Sequence, residues 1–187
     1  MKKIFVFAVA ALFAACNSSD TAKNETAKTE PAKSEAEPMA KEISSPFPVN
    51  YSSKFVMDDP KNAETLLTLW KDWDNGDLSA HKDMYADSME MHFADGSMMH
   101  TSKENAMAAA QSMRNSFASS VARVDAIMAA KSTDKDEHWA LIWGMEKDTD
   151  KKGKVDSFYL QETWRFTKDG KADMFYQFKA AGAPPKK

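Results

Sequence analysis

Residues 155–167 read Val155-Asp-Ser-Phe-Tyr-Leu-Gln-Glu-Thr-Trp-Arg-Phe-Thr167, VDSFYLQETWRFT. Side chains alternate across a β-strand. Phe158, Leu160, Trp164 and Phe166 therefore share one face with a single carboxylate, Glu162, while Ser157, Tyr159, Gln161, Thr163 and Arg165 share the other. One side is core and the other polar or half-covered, the pattern of an antiparallel strand. Residues 119–131, 137–147 and 172–179 carry the same period of two, with turn sequences at Asp134-Lys-Asp136, Asp148 to Gly153 and Lys168-Asp-Gly-Lys171. In 137–147, Trp139, Leu141, Trp143 and Met145 lie on one face, and Ala140, Ile142 and Gly144 on the other. A strand apolar on both faces is covered on both. The helices of a domain this small cover only one, so a second subunit is expected on the sheet face, as a homodimer.

Upstream the period changes to that of a helix. Asp58-Asp59-Pro60 is a helix start, with an acidic cap and proline at the first helical position. Ala63, Leu66, Leu67, Trp70 and Trp73 then recur at three- and four-residue spacing, and Asn75-Gly76 ends the run. A short second helix is expected over 78–85 and a strand over 87–93, turned by Asp95-Gly96. Thr101-Ser-Lys-Glu104 matches a capping box. It is expected to open a helix running to Phe117, with Met107, Ala110, Met113 and Phe117 inward. Helices followed by a run of strands define an α+β domain.

The N-terminus sets the expected compartment. Lys2 and Lys3 precede an apolar run from Ile4 to Ala15, too short to span a bilayer and of the length of a signal core. It leads into Cys16, the single cysteine of the chain. This resembles a bacterial lipoprotein signal, with Phe13 where the usual leucine stands and that leucine displaced to Leu12. The resemblance implies cleavage before Cys16, its lipidation, and a membrane anchor in the cell envelope. Asn17 is not the aspartate that retains some lipoproteins at the inner membrane, so the analogy points to the outer one. Residues 17–50, with near-repeats at Thr21–Glu25, Thr26–Glu30 and Pro31–Glu35, have the Lys/Glu/Ala/Pro composition of a disordered tether. Its reach would be on the order of 30 Å. The folded domain is expected over 51–180, with a tail at 181–187. A net charge of −3 gives no reason to expect nucleic acid as a partner.

The order of elements resembles the nuclear transport factor 2-like superfamily, and within it the SnoaL-like proteins. The resemblance rests on Trp73-Asp-Asn-Gly-Asp77, on Tyr85-Ala-Asp-Ser-Met-Glu-Met-His-Phe-Ala-Asp-Gly96 and on Trp164-Arg-Phe-Thr-Lys-Asp-Gly-Lys171. It implies a cone-shaped, curved antiparallel sheet wrapped around N-terminal helices, a pocket at the wide end, and dimerisation through the sheet. It does not imply one activity. In the ketosteroid-isomerase branch a carboxylate base sits where this chain has Phe93, a tyrosine where it has Leu69, and a protonated acid where it has Glu162. With base and phenol replaced, that branch's proton abstraction is not expected here.

Residues 88–100, SMEMHFADGSMMH, combine sulfur and imidazole in a way that raises the question of a soft metal. Strand alternation puts Met89, Met91 and Phe93 on one face and Glu90 and His92 on the other; the resemblance implies that the Met/Phe face points into the cone, leaving Met98 and His100 as the groups able to join Met91. Methionine more often lines adaptable apolar space, and neither metal nor cofactor is expected. His81, His100 and His138 lack zinc spacing. Glu162, set among Phe158, Leu160 and Trp164, is expected to be desolvated, either orienting a ligand or paired with Arg114 or Arg123. His92 with Asp95 is a further acid–base candidate. The leading expectation is a small, largely apolar ligand held by Leu69, Met89, Met91, Phe93, Phe158, Leu160 and Phe175, with Glu162 as the polar group. The alternatives are a cyclase, dehydratase or isomerase using Glu162 or His92, and an envelope module that binds another protein through its sheet face.

Overall fold

A computed structural model describes residues 40–41 and 43–181. The expected signal segment, Cys16, the tether up to residue 39 and the tail past residue 181 lie outside the described residues. Residues 43–54 contain no helix or strand. The elements that follow are β1 (Phe55–Met57), α1 (Lys61–Asn75), a 3₁₀ turn (Lys82–Met84), β2 (Tyr85–His92), β3 (Met98–Ser102), α2 (Lys103–Arg114), β4 (Phe117–Ser132), β5 (Glu137–Asp150), β6 (Val155–Phe166) and β7 (Ala172–Ala181). The seven strands form one curved, unclosed sheet in the order β1-β4-β5-β6-β7-β2-β3. All neighbours are antiparallel except β2 and β7, which run parallel. The sheet expected as antiparallel is therefore mixed, because the helical segment carries the chain across the sheet between β1 and β2. Register shifts in β2/β7, β4/β5 and β6/β7 mark bulges, which bend strands and increase their twist.

Helix α1 lies on the inner face. Ala63, Leu66 and Leu69 are buried there, whereas Leu67, expected inward, is turned to solvent. Pro60 is the cap residue and not the first helical residue, and Asp59 Oδ1 accepts the N–H of Lys61. Gly76 ends the helix in the left-handed region, φ 81°, its N–H bonding the carbonyls of Asp72 and Trp73.

The expected helix over 78–85 is only a 3₁₀ turn. Asp77 captures both the N–H and the hydroxyl of Ser79, a local bond that competes with helical pairing. Tyr85 already pairs with Ala172 of β7. The second hairpin strand, β3, was hidden by its short alternation. It moves the helix start by one residue, so Ser102 and not Thr101 caps α2, accepting the N–H of Asn105. α2 ends at Arg114, and Phe117 opens β4. Met113 faces solvent while Arg114 is buried. Its guanidinium donates to the carbonyls of Trp73 and Asp74, closing the C-terminal end of α1.

Candidate functional site

The inner face of β5 and β6 is where α1 meets the sheet. Gly144 of β5 makes this approach. A Cβ there would stand 2.4 Å from the Arg123 carbonyl oxygen and 3.0 Å from the Trp70 ring. Trp70 and Trp73, one turn apart on α1, reach the sheet on either side of that contact, and each ends on a buried glutamate. Trp70 Nε1 donates to Glu162 Oε2 at 2.8 Å. Trp164 Nε1 donates to the same oxygen at 2.9 Å, and Gln177 Nε2 to Oε1 at 2.9 Å. Glu162 is thus desolvated as expected, but neither Arg114 nor Arg123 is its partner. Three N–H donors, two of them indoles, occupy it. Arg123 instead forms a two-bond pair with Asp125.

Trp73 Nε1 lies 2.8 Å from Glu146 Oε1 and 3.0 Å from Ser120 Oγ, whose own hydroxyl is 3.1 Å from Glu146 Oε1. Asp148, two residues along the same face and also buried, is hydrogen-bonded to Glu146. Burial first, and then the adjacent Asp148, push the Glu146 carboxyl up to about 8. The sequence reading missed this pair because it assigned Asp148 to the turn. Carrying the alternation of β5 on from Ala140, Ile142 and Gly144 places Glu146 and Asp148 on the core face.

A third polar group sits in the last turn of α1. Asp72, buried, holds His81 Nδ1 at 2.9 Å. The hydroxyl of Tyr85 is pushed well above its ordinary range by burial, with smaller contributions from Asp72 and Glu162.

Of the residues expected to line a pocket, Leu69, Met89, Met91 and Phe175 point inward and join Leu66, Ile142 and Trp164 in one cluster. Phe158 and Leu160 are buried on the same face of β6, and Phe93, half-buried, meets Phe175 edge-on at 5.5 Å. These residues come together on the inner face of the sheet. Met89 is 1% exposed, Leu69 3% and Met91 6%. His92 points outward as expected, stacked on Tyr176 at 4.2 Å, and its partner is Glu90 at 2.7 Å, not Asp95. Asp95 accepts from Ser97 instead. Met98 is exposed, and Met99 is the residue paired with Met91. His100 contacts Ser88, and His138 contacts Asp58.

The outer face differs. Near its Trp139 end it is covered by the chain itself, where Tyr51 packs edge-on against Trp139 at 6.0 Å. Further along, Trp143, Tyr159, Gln161, Phe178 and Asp125 surround an open hollow of about 290 Å³. Phe178 is 58% exposed. A larger hollow of about 620 Å³ lies among residues 40–55, within the irregular segment before β1.

No protein-family model matches the chain, and no curated protein matches it in sequence. Solved structures do match in shape. AusH from Aspergillus nidulans superposes with a TM-score of 0.54 at 14% identity, covering 68% of this chain and 89% of that one. An NTF2-like protein of unknown function from Exiguobacterium sp. 255-15 gives 0.52 at 12% identity, over 62% and 98%. The fold is nuclear transport factor 2-like. An LEH-like epoxide hydrolase of M. tuberculosis shares this fold with a TM-score of 0.54 at 9% identity, over 64% and 83%.

Proposed function

We propose that the protein is a lipid-tethered envelope module that works through the outer face of its sheet, where it pairs with a second copy of itself. The observation that carries this reading is the aromatic hollow of Trp143, Tyr159 and Phe178 on a face that the helices leave uncovered. Leu141 and Met145 flank Trp143 on the same face of β5 and are also only half-buried. Apolar area on this scale is stabilised by a partner surface. The expected lipid on Cys16 and the tether would hold the domain at the outer membrane and leave the sheet free to pair.

The purified full chain is expected at twice its chain mass by sedimentation and native mass spectrometry. Trp143→Glu and Phe178→Asp are each expected to return it to the single-chain mass with an unchanged circular dichroism spectrum. A wild-type chain that stays at single mass while retaining a small apolar molecule would move the function to ligand binding in the same hollow. Labelling with an alkyne fatty acid, lost in Cys16→Ser, tests the anchor.

A further inference from the structure

The chain enters its domain through residues 43–57, and this stretch exposes Ile43, Phe47, Val49, Tyr51, Phe55 and Met57. The other large apolar residues exposed among the described ones are spread from Leu67 to Phe178. Scattered exposure needs no partner, whereas a concentration of this kind marks a contact surface. The root of the stretch is fixed to the domain. Ser52 Oγ donates to Asp134 Oδ1 at 2.6 Å, the Thr133 N–H donates to the Lys54 carbonyl at 2.8 Å, and Phe55 to Met57 pair with Ser132 to Ala130. Tyr51 lies edge-on against Trp139. Before this root every residue from 43 to 50 is exposed, and the chain bends at Pro46-Phe47.

Phe47 stands at that bend, 77% exposed. Ser45 Oγ accepts the Phe47 N–H at 3.1 Å and donates to the Phe47 carbonyl at 2.9 Å. Pro46 and Pro48 carry no N–H. The bend therefore presents an aromatic ring on backbone whose N–H groups are all accounted for. Water would bond such groups anyway, but in an apolar medium each unbonded N–H is costly. Lys41 and Lys54 are exposed on either side of the bend, and Lys135 lies 5.9 Å from the centre of the Tyr51 ring. The neighbouring acid, Asp134, is engaged by the hydroxyls of Ser52 and Ser132. An apolar tip between lysines suits an anionic bilayer surface. The chain before residue 40 leads back to Cys16, and a tether over 17–39 has a reach on the order of 25 Å. We infer that residues 43–57 are a membrane-contact segment, which seats Phe47 and its apolar neighbours in the headgroup region of the bilayer that holds the anchor. The inference rests on the lipid-tethered reading for the presence of that bilayer, and not on pairing through the Trp143 hollow. The contact would turn the β1 edge of the sheet toward the membrane.

The test uses the full chain with Cys16→Ser, so that one new cysteine can carry a nitrobenzoxadiazole label. Ser44→Cys places the label beside the bend, and Lys152→Cys places it in the β5–β6 turn as a control. Each is mixed with vesicles of phosphatidylethanolamine and phosphatidylglycerol, with and without spin-labelled lipid. The label at 44 is expected to gain about twofold in emission and to be quenched by the spin-labelled lipid, while the label at 152 does neither. Adding Phe47→Asp is expected to abolish the gain. A label at 44 that stays in water, equal quenching at both positions, or a gain that survives Phe47→Asp would each overturn the inference. So would a gain that appears without vesicles as the protein concentration rises, which would give the segment to a second copy of the chain. The fatty-acid labelling of Cys16 is read separately, so the anchor and the contact can fail independently.

Discussion

Two glutamates on neighbouring strands face the same core, and each accepts an indole N–H from α1. Glu162 completes its bonding with Trp164 and Gln177, both N–H donors. Glu146 completes its bonding with Ser120 and with a second acid, Asp148. Burial is nearly equal, 6% against 8%. Desolvation alone therefore does not separate them; the second partner does. Donors arranged around a carboxylate replace the water it has lost, whereas a neighbouring acid adds repulsion that a retained proton relieves. Both contacts tie helix to sheet, and only the Glu146 carboxyl is pushed up, to about 8, by burial and its acidic neighbour.

The largest effect should come from removing the Glu162 contact. Glu162→Leu strands three N–H donors, and at about 1–2 kcal/mol for each unsatisfied group the loss should approach 4 kcal/mol. Urea unfolding would measure it, and a loss under about 1 kcal/mol would show that the indoles find other partners. Gly144→Ala attacks the approach of α1 to the sheet on the Trp70 side. Its new Cβ would meet the Arg123 carbonyl at 2.4 Å and the Trp70 ring at 3.0 Å. Backbone cannot retreat as a side chain can, so about 3 kcal/mol is expected, at the upper end of overpacking costs.

The pH dependence comes next in size. The folded chain keeps the Glu146 proton up to about 8, while the unfolded chain releases it near 4.5. The raised value in the folded state means that this group's contribution is fully present below pH 4.5. It declines as pH rises and is gone above about pH 8. The slope for one proton is about 1.4 kcal/mol per pH unit. Compared with wild type, Glu146→Gln should lose this slope and should be the more stable of the two at pH 9. Parallel stability curves for the two proteins would remove Glu146 from the account.

How much of this the sequence disclosed depended on whether periodicity alone decided the matter. The four long strands and the inward set of Phe158, Leu160, Glu162, Trp164 and Phe166 follow from a period of two, and all five are buried. The alternation of Met89, Met91 and His92 was equally readable. Three things were not. Strands β1 and β3 are too short for a period to register, and what holds them is cross-strand pairing with β4 and β2. The helix expected over 78–85 failed because Asp77 and Asp72 bind side chains locally. The core depends on how eleven buried side chains fit together in three dimensions, which no linear pattern encodes. For the site, the sequence identified Glu162 but not the indoles that bind it. Trp70 and Trp73 were readable as an apolar stripe, and only the close approach at Gly144 brings their N–H groups onto acids.

The smallest expected effect sharpens the comparison most. Ser120→Ala removes one donor from Glu146 and leaves Trp73 and Asp148 in place. A hydrogen bond to the ionised form lowers the carboxyl's pKa, and the Ser120 bond acts in that direction. Its loss should therefore move the Glu146 titration above 8, in the direction opposite to Asp148→Asn. Stability near neutral pH should fall by about 1 kcal/mol, the usual net value of one such bond. The Trp73 indole now shares its proton between Ser120 and Glu146, and in the variant it would bond Glu146 alone. The pH step of its N–H signal in nitrogen-edited NMR should then be larger as well as later. If the midpoint falls instead, the hydroxyl serves Glu146 as an acceptor of the acid proton, and Asp148 has a weaker hold on that proton than the geometry of the pair implies.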